Sequence, residues 1–137
     1  MTNLPLISIV DDDASVRKSL ERLIGSVGYA AKGFASAEEF LKSEHLRQTN
    51  CLILDVRMPG MSGIELWHEL VADGSGIPVI FITAHGDKAA RSQALKDGAV
   101  DYLFKPFSEE SLLKAIHAAL NSENRKQMAV ENLTNSK

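Results

Sequence analysis

Hydrophobic and polar positions along the chain follow two spacings in turn. Short apolar runs occupy residues 6–10, 29–34, 51–54, 78–82 and 101–104. Between and after them, apolar residues recur three or four positions apart. Val16, Leu20, Leu23, Ile24 and Val27 form one such set, and Phe40, Leu41 and Leu46 a second. Leu66, Trp67, Leu70 and Val71 form a third, Ala90, Ala94 and Leu95 a thin fourth, and Leu112, Leu113, Ile116 and Leu120 a fifth. The runs predict strands buried on both faces, and the spaced sets predict helices with one apolar stripe. Strand then helix, repeated five times, predicts a doubly wound parallel sheet of five strands, (βα)5, with helices on both faces and right-handed crossovers.

Local signals mark the boundaries. Asp13 is placed to cap the first helix and Gly28 to stop it. Ser36 followed by Glu39 reads as a capping box, opening a single helix that carries Phe40, Leu41 and Leu46. Residues 58–63 must form a loop, because Pro59 restricts Met58 and the two glycines, Gly60 and Gly63, invite positive φ. A helix resumes near Ile64 and dissolves at Asp73-Gly74-Ser75-Gly76, and another runs weakly over 87–97 to Gly98. Ser108, ahead of Glu109 and Glu110, suits the start of the last helix.

Composition narrows the class. With 137 residues, 45% apolar and 24% charged, the chain has the profile of one ordinary globular domain, and disorder or membrane spanning is disfavoured. The start of the sequence lacks a basic segment before an apolar one, so no signal peptide is expected and a cytoplasmic location is. A net charge of -3 gives this domain no general electrostatic reason to bind nucleic acid. The single cysteine, Cys51, opens an apolar strand and reads as a small buried hydrophobe. Residues 4–121 form the domain; residues 122–137 are a polar tail or linker, and Met128, Val130 and Leu133 there have the spacing to prolong the last helix.

The chemistry lies where strands end. Asp11 and Asp12 follow the first strand, Asp55 the third, Thr83 the fourth and Lys105 the fifth, and in a parallel sheet these ends share one edge. Singly, each has a structural explanation as a helix cap, a turn former or a solvated charge. Together they make a kit. Carboxylates hold a hard divalent cation, while an ammonium and a hydroxyl bind the oxygens of an anion brought to it. A carboxylate can also act as nucleophile and become an acyl phosphate. Phosphoryl transfer onto Asp55 therefore fits, since that reaction needs mainly positioning and charge neutralisation.

These residues resemble a known pattern. The acidic pair Asp11-Asp12, the stretch Asp55-Val56-Arg57-Met58-Pro59-Gly60-Met61-Ser62-Gly63, Thr83-Ala84 and Lys105-Pro106-Phe107 are similar in kind and order to the receiver domain of a bacterial two-component response regulator. Val10-Asp11-Asp12-Asp13, Thr83-Ala84-His85-Gly86-Asp87 and Gly98-Ala99-Val100-Asp101-Tyr102 resemble its FixJ-like branch. That resemblance implies a flavodoxin-like fold and a phosphoprotein in which Asp55 accepts phosphate from a sensor histidine kinase. Mg2+ or Mn2+ would be held by Asp12, Asp55 and the backbone carbonyl of Arg57, with Asp11 acting through a metal-bound water. Lys105 would contact the phosphoryl group, the Lys105–Pro106 peptide would be cis, and Thr83 with Tyr102 would form a switch. The surface over residues 87–120 would change on phosphorylation and support partner binding or homodimerisation in transcription regulation. No enzymatic activity is implied beyond the domain's own phosphorylation and dephosphorylation, and no membrane partner. Two other readings compete: an aspartyl-nucleophile phosphohydrolase, which would want a second carboxylate where Arg57 stands, and a flavin carrier, whose phosphate the acidic loops would receive poorly.

Overall fold

The computed structural model describes residues 4–121. Strands β1 (Leu6–Val10), β2 (Ala30–Phe34), β3 (Thr49–Asp55), β4 (Val79–Thr83) and β5 (Asp101–Phe104) form one parallel sheet in the order β2-β1-β3-β4-β5. They alternate with helices α1 (Ala14–Ser26), α2 (Ala37–Leu41), α3 (Gly63–Ala72) and α4 (Lys88–Lys96), and residues 109–121 form α5. From β1 the chain goes outward to the edge strand β2, then returns past β1 to β3. This reversal opens a crevice at the carboxyl ends of β1 and β3, where such sheets bind ligands.

Because successive strand side chains point to opposite faces, the sheet carries two cores. Ile7, Ile9, Cys51, Ile53, Ile80 and Ile82 pack against Leu20 and Ile24 of α1 and Leu112 and Ile116 of α5. Val10, Leu52, Leu54 and Phe81 pack against Phe40 of α2, Leu66 and Trp67 of α3, and Ala94 of α4. Helix α4 buries only Ala94, so little apolar area holds it to the sheet.

The structure departs from the expected elements in four places. Ser36 Oγ accepts from the Glu39 N–H at 3.0 Å, but Glu39 returns its bond to the Ala35 N–H, so only half of that capping box forms. The helix behind it stops at Leu41, and Leu46 belongs to a separate 3-10 turn, Glu44–Gln48, opened by the Ser43 side chain. Strand β3 begins before its apolar run, because Asn50 Oδ1 accepts from the Leu6 N–H at 2.8 Å and ties the polar segment to β1. Val27 and Val71 are 45% and 59% exposed, the first as the C-cap of α1 and the second in the last turn of α3. The complete capping box is at α3, where Ser62 and Glu65 bond reciprocally. The expected helical continuation through 122–137 lies outside the described residues.

Candidate functional site

The end of β1 is held from every side. Asp11 is fully buried, and its N–H donates to the Phe34 carbonyl at 3.2 Å. Its Oδ1 accepts from the Asp13 N–H at 2.9 Å and its Oδ2 from Lys105 Nζ at 2.8 Å. Its carbonyl accepts from Arg17 Nη1 at 2.8 Å. Asp12, by contrast, is exposed at the mouth of the crevice. Asp13 is the N-cap of α1, accepting from Ser15 and Val16 N–H groups.

Asp55 closes β3 and is 6% exposed. Gly63 lies directly above its carbonyl: a Cβ there would sit 2.1 Å from Asp55 O. Gly60 has the expected positive φ of 76°, but Gly63 does not; it is glycine because the backbones approach so closely. Glu38 on α2 steadies the loop between them, its Oε2 accepting from the Met61 N–H at 3.0 Å and lying where a Gly60 Cβ would point.

Strand ends bring the predicted residues together. One carboxylate oxygen each from Asp11, Asp12 and Asp55 lie within 4.8 Å of one another. Lys105 Nζ is 3.9 Å from Asp55 Oδ1, and the Lys105–Pro106 peptide is cis. The Arg57 backbone N–H lies close enough to the Asp55 carboxylate to draw its pKa down, while the Arg57 side chain is exposed. Thr83 is buried at the end of β4, its Oγ1 accepting from the His85 N–H at 3.1 Å. Tyr102 is turned inward and 2% exposed, in an aromatic row with Phe81 and Phe104, and burial raises its pKa. Gly86 joins the two: a Cβ there would meet Thr83 Cγ2 at 2.6 Å and Tyr102 Cε1 at 2.8 Å.

Electrostatics single out Asp55. Burial first, then the neighbouring Asp11 charge, push its pKa from an ordinary 3.8 up to about 7, against the opposing pull of Lys105 and the Arg57 N–H; Asp12 adds to the rise. Three carboxylates against one ammonium leave the ionised pocket two negative charges in excess. Oxygen donors with that excess fit a hard divalent cation such as Mg2+. Both oxygens of Asp11 are already engaged, which leaves Asp12 and Asp55 as the acids with room for a metal.

Some of this architecture was not foreseen from the residues. The Ser62–Glu65 signature was visible, being a Ser followed three residues later by Glu. Arg17, Glu38 and Gly86 carried no local signal, because their contacts join segments that only the fold makes neighbours.

The model of the response regulator receiver domain matches residues 7–117. The chain belongs to the response regulator receiver family. It is 43% identical over 132 residues to nodulation protein W of Bradyrhizobium diazoefficiens, covering 96% of this chain and 58% of that protein. It is 48% identical to response regulator protein TodT of Pseudomonas putida, over 84% of this chain and 51% of that one. Among solved structures it is similar to response regulator StyR, with a TM-score of 0.85 and 45% identity over 96% of this chain and 66% of that chain. It is likewise similar to FixJ-N, with a TM-score of 0.76 and 40% identity over 88% of this chain and 96% of that chain. The receiver is thus of the FixJ-like kind, with the flavodoxin-like fold of such domains, and serves two-component signal transduction as its phosphoacceptor module. The chain spans about half the length of the curated relatives it matches. Among the described residues, no helix is long and apolar enough to cross a membrane.

Proposed function

We propose that Asp55 is the phosphoacceptor, taking a phosphoryl group from a phosphohistidine on a sensor histidine kinase. The observation that carries this is the convergence of Asp55 with Asp11, Asp12 and Lys105 at the mouth of the β1/β3 crevice. An Asp55 oxygen attacks phosphorus, the P–O bond forms as the P–N bond breaks, and the departing imidazole nitrogen takes a proton from water. Lys105, 3.9 Å from Asp55 Oδ1, is near enough to neutralise a phosphoryl oxygen. Asp12, Asp55 and the Arg57 carbonyl would hold Mg2+ or Mn2+, with Asp11 bonding a water on it. When bound, the metal supplies positive charge to the transferring group.

The added phosphoryl charge would favour a loop conformation in which Thr83 donates to it, in place of the present bond from His85. In the expected switch Tyr102 swings inward behind Thr83 on phosphorylation; the ring is already inward, so Thr83 is the member of the pair that would move. Helix α4, attached through Ala94 and through Arg91 bonds to Tyr102 O and Asp101, is the element with least opposing its movement. The α4-β5-α5 surface is then the face for partner binding or homodimerisation, and transcription regulation is the output. Residues 4–121 form the receiver and 122–137 a tail or linker. Exposed Arg57 and His85 border the pocket and tune phosphate lifetime. The chain is a switch located in the cytoplasm, acting chemically only on its own phosphate.

A small acyl phosphate with Mg2+ should add one labile phosphate to the wild type and none to Asp55→Asn. Full labelling of that variant would move the acceptor elsewhere.

A further inference from the structure

We propose that Arg17 of α1 is a positioning residue for the metal pocket, fixing the peptide plane between Asp11 and Asp12. The inference rests on the reading of Asp11, Asp12 and Asp55 as a cation site. Its basis is geometric. Arg17 Nη1 donates to the Asp11 carbonyl at 2.8 Å in a partly buried setting, so the guanidinium binds the peptide from which Asp12 departs. The other polar atoms of Asp11 are taken by Phe34 O, the Asp13 N–H and Lys105 Nζ, which anchor the residue before that peptide. The Asp13 N–H bond to Oδ1 closes a turn around Asp12, and the Arg17 bond is the one from a side chain to the carbonyl of the peptide leading into it. Asp12 itself is exposed, and among the described residues its side chain has no hydrogen bond or ion pair to orient it.

The fold makes room for this arm. Arg17 leaves α1 one turn after the Asp13 cap and lies, beside Glu21, along β2 at Gly33, where a Cβ would stand 2.6 Å from Glu21 Oε1, 3.2 Å from Arg17 Cδ and 3.4 Å from Arg17 Cβ. Gly33 is not at positive φ, so its lack of a side chain serves packing. The stem of Arg17 crosses a strand with no side chain beneath it, and its planar head meets the end of the neighbouring strand. The bond is made by one donor, Nη1, of the planar guanidinium. Groups that orient metal ligands typically contribute about 10–100-fold to metal affinity.

The test uses Arg17→Met, which keeps the apolar stem over Gly33 and removes the donor and the charge. Lys18→Met, on the exposed side of the same helix, removes an equal charge without the bond. Calorimetric titration of each metal-free protein with Mg2+ should show Arg17→Met weaker by about tenfold, with Lys18→Met within about twofold of wild type. In metal-free 15N spectra, the Asp12 and Asp13 amides should shift in Arg17→Met and not in Lys18→Met. Wild-type affinity in a folded Arg17→Met, or equal losses in both variants, overturns the inference. If Arg17→Met does not fold, the wild type decides: slow exchange of the Arg17 guanidinium protons supports the clamp, and free rotation and exchange refute it. A wild type that binds no Mg2+ refutes the cation-site reading instead, and the metal-free spectra still report on Arg17.

Discussion

Replacing Asp55 by Asn should make the metal-free protein progressively more stable than wild type as pH rises. Folding places the Asp55 carboxyl among two other acids in a buried position, lifting its pKa from 3.8 to about 7. Between those values the folded state holds a proton that the unfolded chain has released. Stability from this group is therefore fully present below about pH 4, falls as pH rises, and levels off above pH 7. Each pK unit corresponds to about 1.36 kcal/mol, so from pH 5 to pH 7 the loss is at most about 3 kcal/mol. Solvent at the pocket mouth reduces that to about 2 kcal/mol. Asn has nothing to titrate, and groups outside the pocket cancel between the two proteins, so the difference reports Asp55 together with its coupling to Asp11, Asp12 and Lys105. Urea unfolding followed through Trp67, the sole tryptophan, in chelator at pH 5, 6, 7 and 8, should show the gap in midpoint widening by about 1 M, taking a slope of about 2 kcal/mol per M. Mg2+ at 100 times its dissociation constant should return about 2.7 kcal/mol to the wild type at pH 8 and much less to the variant. Parallel stability curves from pH 5 to 8 would refute the reasoning.

Other consequences are as direct. Millimolar Mg2+ should raise the melting temperature of wild type clearly more than that of Asp12→Ala, as read by scanning calorimetry; equal rises would argue against the assigned acids. Gly63→Ala forces a Cβ onto the Asp55 carbonyl and should destabilise by about 3 kcal/mol, whereas Gly25→Ala, in α1 with nothing within 4 Å, should stabilise by about 0.5–1 kcal/mol in the same urea assay. Gly86→Ala should push Tyr102 outward and bring its raised pKa back down, seen as an earlier phenol titration by NMR; an unmoved titration would mean that the ring has not shifted.

Much of the fold was legible in the residues because helices and strands have fixed repeats. Isoleucines and valines in short runs, and leucines at helical spacing, have one economical arrangement as five βα units, and the parallel sheet then carries Asp11, Asp12, Asp55, Thr83 and Lys105 to a common edge. Capping was legible less evenly. Ser36 and Glu39 match the box pattern, yet Glu39 turns to Ala35, because the pattern states which atoms can bond and not which way the preceding chain enters. Sequence likewise marked 87–97 as weakly apolar, and the thin attachment of α4 follows from that composition.

What only the tertiary structure decided is contact between segments distant in the chain. Gly63 looked like a turn residue and proved to be a point of backbone contact with Asp55, a distinction that residue type cannot make. Glu38 reaches a loop 23 positions away. Lys105 reaches Asp11 across 94 positions. The raised pKa of Asp55 is of the same origin: a lone aspartate at a strand end titrates normally, and it is burial beside Asp11 and Asp12 that holds its proton. Local spacing determines which elements form and where the chemical groups fall along them. Distances of a few ångströms between those groups depend on how the layers pack, and they determine the charge on the carboxylate and the direction in which each ligand faces.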